Sequence, residues 1–295
     1  MSGAHAPYPI GMTLAELKAT YQKKLTSRYP ASEIASFFQL LVEEKLNLSR
    51  IETAMQANRE ISEAELDYFE NALSRLLKYE PIQYIIGHTE FYGFPLNVTP
   101  ATLIPRPETE ELVDWVITDT KANVSGCSVL DIGTGSGCIA ISLAKHMLNA
   151  SISALDVSSE ALTVAKENAR GNNVSIDFFK FDILSANAIP QRYNYIVSNP
   201  PYVRESEKNE MQKNVLDFEP ASALFVADAD ALVFYRAIAR LAKNHLVVGG
   251  ALYFEINEYL SEPMLKLMAD EGFGKVELRK DFRGKFRMMK ATYRE

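Results

Sequence analysis

One feature limits this chain more than any other: from Ser128 onward, short apolar runs alternate with stretches of helical period. Ser128–Ile132, Ile152–Val157, Val174–Phe181, Tyr195–Ser198 and Ala251–Ile256 read as strands. Cys138–Leu148, Ser159–Ala169, Ala231–Leu246 and Tyr259–Asp270 read as the helices between them. Parallel neighbours cannot be joined by a tight hairpin and need a crossover, so this alternation predicts an α/β fold with a mainly parallel sheet covered on both faces. The tail departs from the pattern. Lys275–Arg279 and Phe286–Tyr293, joined by the turn-like Asp281–Gly284, predict an antiparallel pair that closes the sheet.

Ahead of the alternating region the texture is helical. Three capping boxes, Thr13/Glu16, Ser49/Glu52 and Ser62/Glu65, each set a Ser or Thr before a Glu that reaches back to the first turn. Apolar residues follow at helical spacing: Leu14, Leu17, Tyr21; Ile34, Phe37, Phe38, Leu41; Leu66, Phe69, Leu73, Leu76, Leu77. A chain of 295 residues is about twice the usual domain size. Residues 1–86 are therefore expected to form a helical domain. Residues 87–103, with a short aromatic-rich hairpin over His88–Val98, are expected to be a linker, and residues 104–295 the second domain. In Leu103-Ile104-Pro105-Arg106-Pro107, Pro107 fits the first position of a helix that continues over Glu108–Thr118.

Charge excludes some functions. Against 31 Lys and Arg stand 38 Asp and Glu, a net charge of −7, which repels a polyanion at long range and argues against a large DNA or membrane footprint. The two cysteines, Cys127 and Cys138, have neither a disulfide framework nor a metal-ligand spacing, which predicts a reducing compartment. The opening MSGAHAPYPIG has neither a basic nor an apolar leader region, so a cytoplasmic protein with no metal and no membrane anchor is expected.

The chemistry sits at the strand ends. The first strand of the alternation runs into Asp131-Ile132-Gly133-Thr134-Gly135-Ser136-Gly137, and a helix starts at once. Glycines there let backbone approach a ligand that a Cβ would push away. A carboxylate beside the loop opposes a pyrophosphate but suits a ligand with an ammonium or sulfonium charge. The next strand ends in Asp156, placed to accept both ribose hydroxyls, and the third in Asp182-Ile183, placed for an exocyclic adenine amine beside an apolar wall. The three ends together fit S-adenosylmethionine better than NAD. The fourth strand ends in Ser198-Asn199-Pro200-Pro201-Tyr202. The prolyl pair stiffens a loop in which Asn199 offers a side-chain carbonyl, Pro200 a backbone carbonyl and Tyr202 a flat face, a pattern suited to a planar –NH2 group. Such a nitrogen is a poor nucleophile, so alignment rather than a strong base is the requirement. Accordingly His5, His88, His146 and His245 all lie outside the motif.

At this point a resemblance is visible. Pro81–Gly87, Phe91, the Leu103–Glu110 block, the Gly133 loop, Asn199–Tyr202, and Glu219-Pro220 with Ala223-Leu224 resemble the HemK-type (PrmC) glutamine N5-methyltransferases from about Pro81 to the C-terminus. The Pro-Arg-Pro-Glu block is the most specific part, because the glycine loop and Asn-Pro-Pro-Tyr also occur in nucleic-acid methyltransferases. The resemblance implies a class I S-adenosylmethionine-dependent fold, a Rossmann-like, mostly parallel seven-stranded sheet, with a small N-terminal helical domain that docks substrate. It implies methyl transfer to the Gln side-chain amide of the Gly-Gly-Gln loop in class I peptide chain release factors. Asp131, Gly133, Thr134, Gly135, Ser136, Gly137, Asp156, Asp182, Ile183 and Asn199 then fall to the cofactor. Asn199, Pro200, Pro201 and Tyr202 fall to the substrate amide. The expected partner is a release factor rather than DNA, and the expected state a monomer.

Two departures from that family stand out. Ile183 takes a place where an aromatic is common, so weaker adenine stacking is expected. Glu255-Ile256-Asn257 replaces the usual Glu-x-Gly. Arg106 is read either as a brace or as a substrate contact. The rival readings are an adenine-N6 methyltransferase on DNA or RNA, with Tyr202 stacked on a flipped base, and a non-catalytic module that keeps only the cofactor fold.

Overall fold

The computed structural model describes residues 11–121, 126–185, 189 and 191–294, so His5 lies outside the described residues. The chain forms two compact units with the boundary between Ile86 and Gly87.

The first unit holds α1 (Leu14–Leu25), α2 (Ala31–Leu46), α3 (Arg50–Met55), α4 (Glu63–Leu76) and α5 (Ile82–Ile86). All three capping boxes form: Thr13, Ser49 and Ser62 each accept from the N3 backbone N–H, and Glu16, Glu52 and Glu65 accept from the cap N–H in return. Each such cap contributes about 1 kcal/mol. The helices close on Tyr21, Phe38 and Phe69, whose ring centroids lie 5.2, 6.4 and 6.0 Å apart. Burying the Tyr21 phenol requires a partner, and its hydroxyl donates to the Phe69 carbonyl at 2.6 Å.

The second unit opens with a hairpin, β1 (His88–Phe91) and β2 (Phe94–Asn97). Tyr92 and Gly93 both take positive φ, 51° and 78°, as a tight two-residue hairpin turn requires. Phe91 and Leu96 are buried in one core with Trp115 and Val116, so the hairpin is built into the second unit rather than standing as a linker. After α6 (Pro107–Thr120), with Pro107 at its start, come β3 (Ser128–Ile132), α7 (Cys138–His146), β4 (Ser151–Asp156), α8 (Ser159–Gly171), β5 (Asp177–Lys180) and β6 (Tyr193–Ser198). The chain continues through β7 (Val203–Arg204), α9 (Lys213–Phe218), α10 (Ala221–Leu224), β8 (Phe225–Val226) and α11 (Val233–His245). It ends with β9 (Leu246–Glu255), α12 (Ser261–Asp270), β10 (Val276–Lys280) and β11 (Phe286–Thr292).

The main sheet has seven strands in the order β10-β11-β9-β6-β3-β4-β5. The five from β9 to β5 are parallel, and β11 and β10 add antiparallel at the β9 edge. Consecutive residues go to opposite faces, as the strand period demands. Leu130, Ile196 and Leu252 pack with α11 and α12 residues such as Tyr235, Ile238 and Met264, while Val129, Val197 and Tyr253 pack with Trp115 and Ile139. The chain runs outward from β3 through β4 to β5, then returns to the other side of β3 as β6. The strand order therefore reverses between β3 and β6, where open α/β sheets bind ligands beyond their carboxyl ends.

Sequence and structure part company ahead of the strand expected over Ala251–Ile256, at the Gly249-Gly250 pair. Instead β9 begins at Leu246 and carries the pair as a bulge, with a register break opposite Tyr193–Tyr195. Gly249 adopts φ +80°, and a Cβ at Gly250 would meet the Asn194 and Val247 carbonyl oxygens at 2.7 and 2.8 Å. Glycine here permits a bulge and a close backbone approach. The expected Val174–Phe181 strand is confined to Asp177–Lys180, because α8 runs to Gly171 and Asn173 turns the chain with φ 55°. Between Val203 and Asp230 the two short strands and the short helices leave no periodic signal in the sequence.

Candidate active site

A cavity of about 540 Å³ lies at the carboxyl end of the sheet, within the range of ligand sites of roughly 300–1,000 Å³. Its walls come from the loops after β3, β4, β5 and β6, together with the 101–109 segment and residues of 220–238. The sequence-predicted residues Gly133, Thr134, Gly135, Ser136, Asp156, Asp182, Ile183, Asn199, Pro200 and Pro201 are all in the wall. Asp131, Gly137 and Tyr202 are not.

The glycine loop shows why each residue type is there. Gly133, Gly135 and Gly137 have φ of +74°, +55° and +85°, a region costly for side chains with a Cβ. A Cβ at Gly133 or Gly135 would meet nothing within 4 Å, so these two leave open cavity rather than fill a packing contact. Gly137 is different. A Cβ there would meet Ile141 Cδ1 at 3.1 Å and Ala165 Cβ at 3.3 Å, so this glycine lets α7 lie close to α8. Asp156 ties the loop down from β4, accepting from the Gly135 N–H at 2.9 Å through Oδ2 and from the Ser158 N–H at 2.9 Å through Oδ1. Asp182 accepts from the Leu184 N–H. Phe181 stands in the wall with Ile183 and puts an aromatic ring there.

Asp131 is held behind this loop. Its Oδ2 accepts from Thr134 Oγ1 at 2.6 Å, while Oδ1 and the neighbouring Ser136 Oγ are buried with no hydrogen-bond partner. Burial pushes the Asp131 carboxyl up to about 7, against an ordinary value of 3.8. The two orphaned atoms beneath a glycine cradle open to the cavity fit a ligand with a cationic amino-acid end. Cys138, also in the wall, is unsuited to act as a nucleophile. Burial, with the Asp131 charge adding to it, raises its thiol to about 12, so it carries no thiolate at neutral pH.

The β6 end is fixed by polar contacts from far along the chain. Ser198 Oγ donates to the Ile132 carbonyl at 2.7 Å and locks the strand end against β3. Asn199 Nδ2 donates to Thr109 Oγ1 at 3.3 Å, and Thr109 Oγ1 donates to Glu255 Oε2 at 2.6 Å. Tyr202 sends its hydroxyl to Glu255 Oε1 at 2.8 Å and packs on the core that holds Tyr235 and Phe254. Burial raises the Glu255 carboxyl, with the Thr109 and Tyr202 hydroxyls and the Arg287 charge acting in the opposite direction. Asn257 stabilises the same loop: its Nδ2 donates to the Tyr202 carbonyl at 3.1 Å and to Glu207 at 3.0 Å.

Arg106 is braced and lines the cavity at the same time. Its Nη2 lies 2.5 Å from Oε1 of Glu219, whose side chain is 1% exposed, and Glu219 Oε2 accepts from the Ile104 N–H at 3.1 Å. One carboxylate thereby joins the Leu103–Pro107 block to the segment at Pro220. His146 meets the Ser142 carbonyl and the edges of the Tyr92 and Phe94 rings, while His245 meets the Gln191 carbonyl; neither lines the cavity. Among the described residues no cluster of side chains could hold a metal ion, and no helix is long and apolar enough to cross a membrane.

Comparison with known proteins agrees with this layout. Residues 16–87 match the model of the PrmC N-terminal domain, and residues 115–222 match that of the methyltransferase small domain. The release factor glutamine methyltransferase of Flavobacterium psychrophilum is 44% identical over 285 residues, spanning 96% of this chain and 100% of that protein. The protein of the same name from Bacteroides thetaiotaomicron is 43% identical over 277 residues, spanning 94% of this chain and 99% of that one. A methyltransferase from Pyrococcus furiosus shares the fold, with a TM-score of 0.51 at 19% identity over 77% of this chain and all of that one. With both units matched and these two relatives covered almost end to end, the chain belongs to the release factor glutamine methyltransferase family.

Proposed function

We propose that the cavity binds S-adenosylmethionine and that the enzyme methylates the side-chain amide nitrogen of the glutamine in the Gly-Gly-Gln loop of class I peptide chain release factors. One observation carries this reading. Asn199 and the glycine loop share a single cavity, on the two strands between which the sheet order reverses. When bound, the cofactor supplies a sulfonium methyl, an electrophile with a good leaving group. What remains for the chain is posture and charge placement. Asn199 Oδ1 and the Pro200 carbonyl accept the two N–H bonds of the substrate amide, holding its nitrogen and stabilising the positive charge that grows there. Orientation of this kind is worth about 7–11 kcal/mol when the geometry is close to the line of attack. Asp156 holds the ribose hydroxyls with the lone pairs left over from its two backbone contacts, and Asp131 and Ser136 underlie the methionine end. Against the adenine-N6 alternative stands the similarity over nearly the whole chain to proteins named release factor glutamine methyltransferase. A release factor substrate places the work in the cytoplasm, in keeping with two free cysteines.

The direct test is mass spectrometry of a purified class I release factor after incubation with enzyme and labelled cofactor. A single added methyl on the Gly-Gly-Gln glutamine supports the reading, while an unmodified glutamine beside methylated adenine in nucleic-acid controls overturns it. The same assay addresses the first unit, which we assign to docking the protein substrate. Removing residues 1–86 raises KM for the intact factor far more than for a short Gly-Gly-Gln peptide, and equal effects on both would argue against docking. For the cofactor, Asp156→Ala weakens binding at least about tenfold, the scale for losing hydrogen bonds to a charged acceptor. Calorimetry showing an unchanged dissociation constant would remove the ribose role.

A further inference from the structure

A primary carboxamide has two ends of nearly the same shape and opposite chemistry. To hold an –NH2 group, Asn199 has to present Oδ1 to the substrate, yet half a turn about its last side-chain bond would present its own –NH2 instead and repel the substrate. Something must select the end, and the selection is legible in the hydrogens. Glu255 closes β9 and is 1% exposed. As a carboxylate it only accepts, and it has two hydroxyl neighbours, Tyr202 at 2.8 Å on Oε1 and Thr109 at 2.6 Å on Oε2. Each hydroxyl has one hydrogen, and each gives it to Glu255. Thr109 Oγ1 therefore has only lone pairs left for its other neighbour, Asn199, whose amide lies 3.3 Å away. Only the –NH2 end can meet those lone pairs, so Oδ1 is turned away from Thr109.

We propose that Thr109 and Glu255 are positioning residues that fix which end of the Asn199 carboxamide faces the substrate, so that the site takes a donor –NH2 and turns away an acceptor-only carboxylate. The proposal rests on the methyl-transfer reading above and adds to it how glutamine is told from glutamate. Neither residue touches the reacting nitrogen; both act through Asn199. The contacts join Pro107–Thr120, the β6 loop and the end of β9, segments 90 and 146 residues apart in the chain.

Three variants test it against a packing role, with kcat and KM measured on the intact release factor and cofactor affinity measured by calorimetry. Thr109→Val keeps the branched shape and removes the hydroxyl; Thr109→Ser keeps the hydroxyl and removes the methyl; Glu255→Met keeps a similar length and removes both acceptors. Thr109→Val and Glu255→Met are expected to lower kcat about 10–100-fold, with Thr109→Ser within about threefold of the parent and cofactor affinity held within about twofold throughout. A packing role predicts the opposite order, with valine active and serine impaired, and that order overturns the proposal. So does a Thr109→Ser kcat lowered more than about tenfold, which decides the matter even if Thr109→Val and Glu255→Met fail to fold. Absence of turnover in the parent enzyme itself is a distinct result and counts against the methyl-transfer reading.

Discussion

Asn199→Ala is expected to lower kcat at least about a hundredfold, the scale of losing one preorganised polar contact to a charge that develops in the transition state. Cofactor affinity should be nearly unchanged, since the glycine loop and Asp156 are untouched. The basis for expecting so large an effect is rigidity. Ser198 is bonded to the end of β3, Pro200 and Pro201 stiffen the next step, and Thr109 holds the amide from the side. An acceptor held this firmly loses little entropy when the substrate arrives, and its removal leaves the substrate amide to find its angle unaided. Stopped assays with saturating release factor, paired with calorimetry on the same preparation, separate the two quantities. Near-normal turnover would remove the orienting role and with it the purpose of the stiff prolyl pair.

The second large effect is on stability and depends on pH. Asp131 has its carboxyl raised to about 7 in the fold, from 3.8. The native state therefore keeps a proton that the unfolded chain gives up first. Below about pH 4 both states are protonated and the fold carries no penalty at this residue; as pH rises from about 4 to about 7, stability falls by up to roughly 4 kcal/mol. Asp131→Asn cannot ionise, so its stability relative to the parent should climb across that window in the absence of cofactor. Urea unfolding of both proteins at several pH values gives the comparison, in which every other carboxylate cancels. Parallel curves for the two would show that the buried oxygen without a partner costs nothing to ionise.

Much of the architecture is legible in the chain because its signals are local. The capping boxes at Thr13, Ser49 and Ser62 need only four consecutive residues, and all three form. The Ser128–Ile132 strand and the glycine run after it are likewise contained in one short stretch. What a local reading misses has a common physical cause. The Tyr202 hydroxyl finds its partner in a carboxylate 53 residues away, which the Asn-Pro-Pro-Tyr stretch does not disclose. Phe181 lies two residues from Ile183 and puts an aromatic ring in the same wall, which the single-position comparison at 183 does not reveal. The Thr109–Glu255 contact has no sequence signature, since a Thr in the first turn of a helix and a Glu at a strand end are ordinary in isolation. The start of β9 at Leu246 is hidden by Gly249-Gly250, a dipeptide that serves a turn or a bulge, and only the approach of the Asn194 carbonyl decides between them.

That bulge has a consequence for how the enzyme tolerates change. Between the pairs Tyr193↔Leu246 and Tyr195↔Ala251, β6 advances by two residues while β9 advances by five, and the surplus bows outward with Val248 in solvent. From Ala251 to Phe254 the two strands then march in step. Length variation among homologues can thus be absorbed upstream, like slack in a rope ahead of a cleat, without displacing the carboxylate at position 255. Past the cleat there is no slack: dropping one residue would send alternate side chains to the opposite face of the sheet, and the amide selector would point into the wrong half of the molecule.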